Sequence, residues 1–159
     1  MFDMDGVLTD GSITIMPDGE QIRTMNIKDG YALQLAVKKG YRVVIISGGK
    51  SEAAKKRLQN LGITDIYMGV HTKTDAFEEV LAMYNIQPSA VLYMGDDIPD
   101  YEVMKKCGIA TCPNDAASEI KEISMYVSDK MGGKGCVRDV IEQVLRLNDT
   151  WMDMDAHVW

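Results

Sequence analysis

The sequence predicts an α/β protein built on a doubly wound, mostly parallel sheet, and three observations support this prediction. Beyond residue 40, short apolar runs alternate with longer amphipathic stretches, which is the pattern of βαβ units. The run YRVVIISGG at 41–49 is apolar almost throughout, as expected of a parallel strand that helices cover on both faces. The strongest apolar runs end in serine, glycine or aspartate, at the edge where open α/β sheets bind their ligands.

The size and composition of the chain indicate one globular domain. We expect the domain to span 1–147 of the 159 residues and a C-terminal tail at 148–159 to leave the domain body. Lysine and arginine number 17 against 24 acidic residues, a net charge of −7. This charge disfavours nucleic acid and acidic membrane surfaces as partners, and no apolar run approaches the roughly 20 residues of a membrane span.

The cysteines and the N-terminus predict a cytoplasmic protein. Three cysteines without a metal-ligand spacing are typical of reduced thiols, and the chain reaches Asp3 without a signal-peptide pattern. A buried first strand usually has about five residues. Because Asp3 comes so early, we expect a few natural N-terminal residues to be absent from this sequence.

The predicted elements begin with a β-hairpin at 12–26. Its strands SITIM and QIRTMN flank a turn at 17–20 in which proline followed by Asp-Gly favours reversal. A helix begins near Asp29 and ends at Gly40, before the strand at 41–49. Further helices are predicted at 51–62, 71–85, 98–108, 116–123 and 135–147, and further strands at 63–69, 90–97, 109–112 and 125–129.

Polar side chains follow three of these strands, and a parallel sheet places all three groups at one edge. Asp3 and Asp5 are close enough to repel, so they need either a cation or a shared proton. Ser47, Gly48 and Gly49 offer a hydroxyl and free N–H groups that suit an anion.

The third group completes a site for a phosphoryl group. It consists of Asp96 and Asp97, with Asp100 one turn later, while Lys73 begins a helix that starts at the same edge. Carboxylates favour Mg²⁺, and a hydroxyl, amides and an ammonium can share the charge of a phosphate. The sequence therefore predicts a Mg²⁺-dependent phosphoryl-transfer site.

The order of these motifs resembles that of the haloacid dehalogenase superfamily of phosphotransferases. The resemblance rests on DMDGVLTD at 3–10, Ser47, Lys73 and GDDIPD at 95–100. A closer resemblance is to the 3-deoxy-D-manno-octulosonate 8-phosphate phosphatases of lipopolysaccharide synthesis, on the segments NIKDGYALQL, GVHTK and GGKGCVRD. Phosphatases of the 9-phosphates of nine-carbon keto-deoxy sugar acids share most of these features.

The resemblance implies the chemistry of the carboxylates. Asp3 would be the nucleophile that forms an aspartyl-phosphate. Asp5 would protonate the leaving alcohol and then activate the hydrolytic water. Mg²⁺ would be held by the carboxylates of Asp3 and Asp96 and by the backbone carbonyl of Asp5.

The resemblance also assigns the phosphate-binding groups. Ser47, Gly48 and Lys73 would bind the phosphoryl oxygens, while Asp97 and Asp100 would orient Lys73 and the water on the metal. For Asp97 and Asp100 a second interpretation stays open, because aspartate is a common cap at the start of a helix.

The substrate's sugar end is expected at residues after the hairpin and on the second helix. These residues are Asn26, Ile27, Lys28, Asp29, Gly30, Gly49 and Arg57. Arg57 would serve a neighbouring subunit's site or remain a solvated surface charge. Gly49 departs from both families, which carry arginine (eight-carbon) or glutamate (nine-carbon) at this position, so the choice between the two substrates stays open.

The chain has no room for a cap domain. Between residues 10 and 29 only a hairpin fits, and between Lys73 and Gly95 only a helix and a strand. An isolated hairpin is marginally stable and an open site weakens electrostatic catalysis, so we expect a homotetramer whose subunits cover each other's sites.

Two other classes of function are alternatives, and the chain carries a second glycine motif. A binding subunit that kept the fold without the chemistry would not need the acidic set, and a mutase or transferase normally needs a closing cap. GGKG at 132–135 lacks the spacing of a Walker phosphate loop, which favours a hinge or a loop near a neighbouring site.

Overall fold

The computed structural model describes residues 1–157, in which strands and helices alternate. The strands are Thr14–Ile15 (β1), Gln21–Ile22 (β2), Val44–Ser47 (β3), Asp65–Met68 (β4), Leu92–Met94 (β5), Ile109–Cys112 (β6) and Tyr126–Val127 (β7). The α-helices are Ile27–Lys38 (α1), Glu52–Asn60 (α2), Lys73–Tyr84 (α3), Tyr101–Lys106 (α4), Ser118–Ile123 (α5) and Cys136–Leu147 (α6). None of the helices within 1–157 combines the length and apolar character that a membrane crossing requires.

The first residues of the chain join the two halves of a parallel sheet. β3 pairs with β4 on one side, and β5, β6 and β7 pair in sequence on the other. Phe2 forms parallel bridges to both Ile45 and Met94, and the Asp3 N–H donates to the Met94 carbonyl at 3.0 Å. Asp3 therefore lies at the centre of the sheet, at the carboxyl edge.

The sheet separates two apolar cores, which is the doubly wound arrangement that the sequence predicts. Ile45 of β3 packs with buried residues of α1, α2 and α6. Its neighbours Val44 and Ile46 pack on the other face with buried residues of α3, α4 and α5. The continuous apolar run of β3 is explained because successive side chains face opposite cores.

The hairpin is shorter than the sequence predicts. β1 and β2 pair antiparallel through Thr14–Ile22 and Ile15–Gln21, whereas SITIM and QIRTMN suggested longer strands. Its strand residues are exposed to solvent, and a bridge between Thr9 and Met25 ties its base to the first loop. Without a covered face, little holds more of the ladder together.

The C-terminal segment packs on the domain, so the expectation that it leaves the domain body is wrong. Trp151 is 5% exposed and belongs to the core on the α1 and α6 side. The guanidinium of Arg138 lies 5.2 Å from its ring, and Tyr31 donates to the carbonyl of Ala156. Burial of a large aromatic ring explains why the segment folds back; residues 158–159 lie outside the described residues.

The GGKG loop at 132–135 packs against the first loop of the chain. The Gly133 N–H donates to the Val7 carbonyl at 2.9 Å. A Cβ at Gly132 would lie 1.9 Å from the carbonyl oxygen of Gly6, so only glycine fits there. The loop therefore supports the backbone that carries Asp3 and Asp5.

Candidate active site

Four loops at the carboxyl edge of the sheet carry the acidic and basic groups of the candidate active site. Asp3 follows the central segment, Ser47 ends β3, Lys73 begins α3, and Asp96 follows β5. Asp3, Ser47 and Lys73 are buried. The sheet thus brings residues from distant parts of the sequence to one edge, as the sequence predicts.

A buried ion-pair network forms one flank of the site. The Lys73 ammonium lies 2.8 Å from Asp3 Oδ1 and 2.7 Å from Asp100 Oδ1. The Tyr93 hydroxyl donates to the same Asp100 oxygen at 2.7 Å. Because Lys73 is 7% exposed, its charge depends on these two carboxylates for stabilisation.

The network changes the proton affinities of its members. Burial raises the pKa of Asp3 to about 6, and the charge of Asp100 acts in the same direction while Lys73 opposes it. Burial also acts against the charge of Lys73, but Asp3 and Asp100 outweigh it and raise the pKa of the ammonium. Lys73 therefore remains a cation beside the carboxylate of Asp3.

Asp96 has the properties expected of a ligand for a divalent cation. Its Oδ1 is buried without a hydrogen-bond partner, and burial, followed by the charges of Asp3 and Asp100, raises its pKa to about 8. Oxygens of Asp3, Asp96 and Asp100 lie within 4.8 Å of one another. Such a carboxylate cluster fits a hard cation that accepts oxygen ligands.

The backbone makes room for Asp96 at Gly6. Gly6 has φ +89°, and a Cβ there would lie 1.9 Å from Asp96 Oδ2. Any other residue would combine an unfavourable backbone conformation with a clash. The glycine of the DMDG motif is thus needed to bring the two acidic loops together.

Asp100 and Asp97 occupy different places. Asp100 Oδ1 accepts from Lys73 and Tyr93, and its Oδ2 accepts from the Asp96 N–H at 3.3 Å. These bonds leave Asp3 and Asp96 as the carboxylates with capacity for a cation. Asp97 accepts from the Ile98 N–H at 2.8 Å, the capping interaction that the sequence left open as the alternative.

The loop after β3 differs from the prediction in one respect. Ser47 is buried, and its hydroxyl accepts from the Gly49 N–H at 3.1 Å. The expectation that this N–H is free for an anion is therefore wrong, because the serine closes a short turn on it. The Val70 N–H donates to the Ser47 carbonyl at 3.0 Å and fixes the loop to the end of β4.

The other flank of the site is an ion pair between Asp5 and Arg23. Arg23 Nε lies 2.7 Å from Asp5 Oδ1 and its Nη2 3.0 Å from Asp5 Oδ2. The Thr9 hydroxyl donates to Asp5 Oδ1 at 3.3 Å. The Arg23 side chain is 5% exposed although it comes from the hairpin, whereas that of Asp5 is 32% exposed.

The segment after the hairpin opens α1. Asn26 is the N-cap of α1, its side chain accepts from the Lys28 N–H at 2.8 Å, and its amide donates to the Gly133 carbonyl at 3.2 Å. Ile27 and Lys28 are exposed. These two side chains are therefore accessible to a ligand, as the predicted substrate contact requires.

Asp29 and Gly30 are placed differently from their predicted contact with substrate. Asp29 is buried and accepts from the Arg138 N–H at 2.7 Å, in the first turn of α6. A carboxylate at a helix N-terminus is a stabilising arrangement, and it turns Asp29 to the interior. A Cβ at Gly30 would lie 2.8 Å from Arg57 Nη2, so Arg57 packs against α1 of its own chain.

Sequence reasoning missed Arg23, Thr9 and Tyr93 as members of the site. Arg23 is a lone cation within the strand QIRTMN, and Tyr93 is the polar residue of the run AVLYM. Tyr93 could have been noticed as the polar exception in an apolar run, and Arg23 as the only charged residue of its strand. Neither pattern, however, indicates the partner, which is Asp5, 18 residues before Arg23, and Asp100, 7 residues after Tyr93.

Comparison with known proteins identifies the family. Residues 16–108, more than half of the chain, match the haloacid dehalogenase-like hydrolases. The chain belongs to this family. Its similarity to the phosphatases of the family is also extensive. The 3-deoxy-D-manno-octulosonate 8-phosphate phosphatase KdsC of Escherichia coli K12 is 37% identical over 145 residues, which cover 91% of this chain and 77% of that protein.

Solved structures of haloacid dehalogenase-like phosphatases share the fold. The 3-deoxy-D-manno-octulosonate 8-phosphate phosphatase of Yersinia pestis has a TM-score of 0.91 and 35% identity, with 94% of this chain and 80% of that one covered. The enzyme of Moraxella catarrhalis, solved with magnesium, phosphate and KDO, has a TM-score of 0.88 and 31% identity, with 91% and 83% covered. The chain is a phosphatase of the haloacid dehalogenase-like family.

Proposed function

We propose that this phosphatase hydrolyses 3-deoxy-D-manno-octulosonate 8-phosphate with Mg²⁺ as cofactor. The observation that carries the proposal is the buried set of Asp3, Lys73 and Asp100 beside the unpaired oxygen of Asp96. This set combines a carboxylate nucleophile, a fixed cation and a place for a divalent metal. The similarity to octulosonate 8-phosphate phosphatases supports the choice of substrate.

The reaction uses the two aspartates of the first loop in turn. An oxygen of Asp3 attacks phosphorus and the bond to the sugar oxygen breaks. Asp5 is ionised in its pair with Arg23 in the free protein, so it must bind a proton before it acts, and this proton passes to the leaving oxygen. Asp5, now ionised, takes a proton from water as the water oxygen attacks the phosphorus of the aspartyl-phosphate. The bond to Asp3 breaks, phosphate leaves, and both aspartates return to their initial states.

The remaining residues bind charge rather than transfer protons. Lys73 and the Ser47 and Gly48 loop bind the phosphoryl oxygens, and Asp100 holds Lys73 in place. Asp3, Asp96 and the carbonyl of Asp5 would hold Mg²⁺, which when bound offsets the negative charge of the phosphoryl group. Asp97 would orient the water bound to the metal.

A neighbouring subunit and a sugar acid complete the proposal. Ile27, Lys28 and Gly49 are assigned to the sugar, together with Asn26 and with Arg57 of an adjacent subunit. Exposed apolar side chains on the hairpin, Ile13, Ile15, Met16 and Ile22, support its association with other chains. We infer a cytoplasmic homotetramer that supplies the free sugar acid for lipopolysaccharide synthesis.

A nine-carbon sugar acid 9-phosphate is the second candidate substrate. Gly49 lacks the side chain that either family carries at this position, and the space beside it holds Asp5 and Arg23 instead. Because this loop does not discriminate between the two sugars, the substrate has to be identified by comparing kcat/KM for the eight-carbon and the nine-carbon compound. A higher kcat/KM for the nine-carbon compound would replace the first proposal with the second.

The test is phosphate release from a panel of sugar-acid phosphates in the presence and absence of Mg²⁺. Asp3→Asn is expected to lose activity by a factor of about a thousand or more, because it removes the nucleophile. Asp149→Asn, an exposed residue after α6, is the matched control and should retain full activity. Activity that survives Asp3→Asn contradicts the nucleophile, and inactivity towards the whole panel favours a binding subunit. Light scattering that shows the active protein to be a monomer would contradict the proposed tetramer.

A further inference from the structure

The guanidinium of Arg23 is matched to the carboxylate of Asp5 as a fork. Nε and Nη2 each donate to a different oxygen, at 2.7 and 3.0 Å. Two parallel bonds of this kind fix the plane of a carboxylate as well as its position. The side chain of Arg23 makes this contact while almost completely buried, so the hairpin delivers a specific group into the site.

Gly49 provides the space for this pair. A Cβ at this position would lie 2.8 Å from Asp5 Oδ2 and 3.1 Å from Arg23 Nη2. A side chain on Gly49 would therefore push either the carboxylate or the guanidinium away. The glycine after the serine loop and the arginine on the hairpin are thus two parts of one arrangement.

Thr9 connects the same carboxylate to the base of the hairpin. Its hydroxyl donates to Asp5 Oδ1 at 3.3 Å, and its backbone forms the antiparallel bridge with Met25. Arg23 lies just after β2 and two residues before Met25. The position of the hairpin and the orientation of Asp5 are therefore linked through both Arg23 and Thr9.

We propose that Arg23 is a positioning residue for Asp5 and that the hairpin, through Arg23, is part of the catalytic machinery. The inference rests on the proposed function, in which Asp5 serves the leaving oxygen and then water. Asp5 is the more exposed of the two first-loop aspartates, so without Arg23 its side chain could rotate into solvent. Transfer at the leaving oxygen requires the carboxyl group within hydrogen-bond reach.

Arg23 is distinguished from a substrate-binding arginine by how its effect depends on the leaving group. We expect Arg23→Gln to lower kcat/KM roughly thirtyfold for a sugar-acid phosphate, whose alkoxide needs a proton, which is a part of the roughly hundred- to ten-thousandfold that a positioned acid contributes. For p-nitrophenyl phosphate, whose leaving group needs no proton, the loss should be less than about threefold. With a series of substituted phenyl phosphates, log kcat/KM of the Arg23→Gln variant should depend more steeply on the pKa of the leaving group than log kcat/KM of the native protein does.

A double-mutant cycle provides the decisive measurement. If Arg23 acts through Asp5, the protein with both Arg23→Gln and Asp5→Asn should have the activity of Asp5→Asn alone, within about twofold. Losses that multiply would show that Arg23 acts on the substrate by itself and would overturn the proposal. Equal losses for sugar and p-nitrophenyl phosphates would overturn it as well.

Two further variants keep the test independent of folding. Gly49→Ala disturbs the same pair from the other side and should reproduce the leaving-group dependence of Arg23→Gln; an unchanged dependence contradicts the proposal. Arg42→Gln is the matched control, since Arg42 pairs with Asp65 at 2.8 Å at the opposite edge of the sheet. It should leave both substrates unaffected. An active Asp3→Asn protein would refute the proposed function, whereas additivity refutes only the role of Arg23.

Discussion

The two flanks of the active site are built in different ways. Lys73 and Asp100 belong to helices and turns that the core covers, and their contacts with Asp3 and Tyr93 are buried. Arg23 reaches Asp5 from a hairpin whose ladder consists of two residue pairs. Asp3, the proposed nucleophile, is therefore held by the stability of the whole domain, whereas Asp5, the proposed acid and base, depends on a peripheral element.

This difference separates the chemistry from the choice of substrate. Phosphoryl transfer needs the same charges for every phosphate ester, and the buried flank fixes them. In the proposed mechanism the leaving group, which varies between substrates, lies on the side of Asp5 and the hairpin. A short exposed hairpin tolerates substitution because few contacts depend on it, so that flank can change without unfolding the domain.

The largest effect is expected from Lys73→Met, which breaks the buried flank. Loss of the ammonium leaves Asp3 and Asp100 buried without their counter-charge, which typically costs about 3–5 kcal/mol of folding free energy. Activity should fall at least about a hundredfold, because a fixed charge on the transferring phosphoryl group is lost. Urea denaturation and phosphate release measure the two effects.

The control for Lys73→Met is Lys106→Met. Lys106 forms an exposed ion pair with Glu78, and such pairs contribute about 0–1 kcal/mol. An equal change in stability for the two variants would show that the buried network is no more important to the fold than a surface contact.

The next effect concerns pH and metal on the buried flank. The pKa of Asp96 is raised to about 8 from an ordinary 3.8, so the folded metal-free protein binds more protons than the unfolded chain between these values. Its stability should therefore fall as pH rises across this window. Mg²⁺ binds the ionised carboxylates and should raise the melting temperature more at about pH 8 than at about pH 5.5.

Thermal melts in chelator and in Mg²⁺ at both pH values test this expectation. Asp96→Asn cannot ionise at this position, so the slope with pH should become shallower and most of the Mg²⁺ effect should disappear. A native protein that is equally stabilised by Mg²⁺ at both pH values would show that Asp96 does not control metal binding.

The smallest effect on stability is expected from Arg23→Gln, on the hairpin flank. The Arg23 side chain is almost completely buried, but that of Asp5 is 32% exposed and can be hydrated when its partner is removed, so the free energy of unfolding should change by only about 1 kcal/mol. The loss of activity towards the sugar-acid phosphate should nevertheless be large. A destabilisation close to that of Lys73→Met would remove the distinction between the two flanks.

Sequence patterns were sufficient for the parallel sheet and for the position of the buried flank. Asp3, Lys73 and Asp96 follow strands or begin helices, and strand direction alone brings such residues to one edge. The fold was therefore predictable from local periodicity. That Asp3, Lys73 and Asp100 lie at the same edge follows from the parallel direction of the strands.

The hairpin flank was not predictable in the same way. The contact between Arg23 and Asp5 depends on how an exposed hairpin bends over the sheet, and no periodicity encodes that bend. Asp29 was mistaken for a substrate residue because a carboxylate near a site and a carboxylate that caps a distant helix look alike in sequence. Trp151 was placed outside the domain because the segment around it has neither helical nor strand periodicity. No pattern in the sequence indicates that its ring is buried.

The packing of the GGKG loop against the first loop has a consequence for how the protein is made. During synthesis the backbone around Asp3 and Asp5 leaves the ribosome before the GGKG loop does. The Val7 carbonyl therefore cannot accept the hydrogen bond from the Gly133 N–H until that loop has emerged. Contacts between residues so distant in sequence form late. The nascent chain should therefore acquire its sheet segment by segment and become a competent phosphatase only when nearly all of it has emerged.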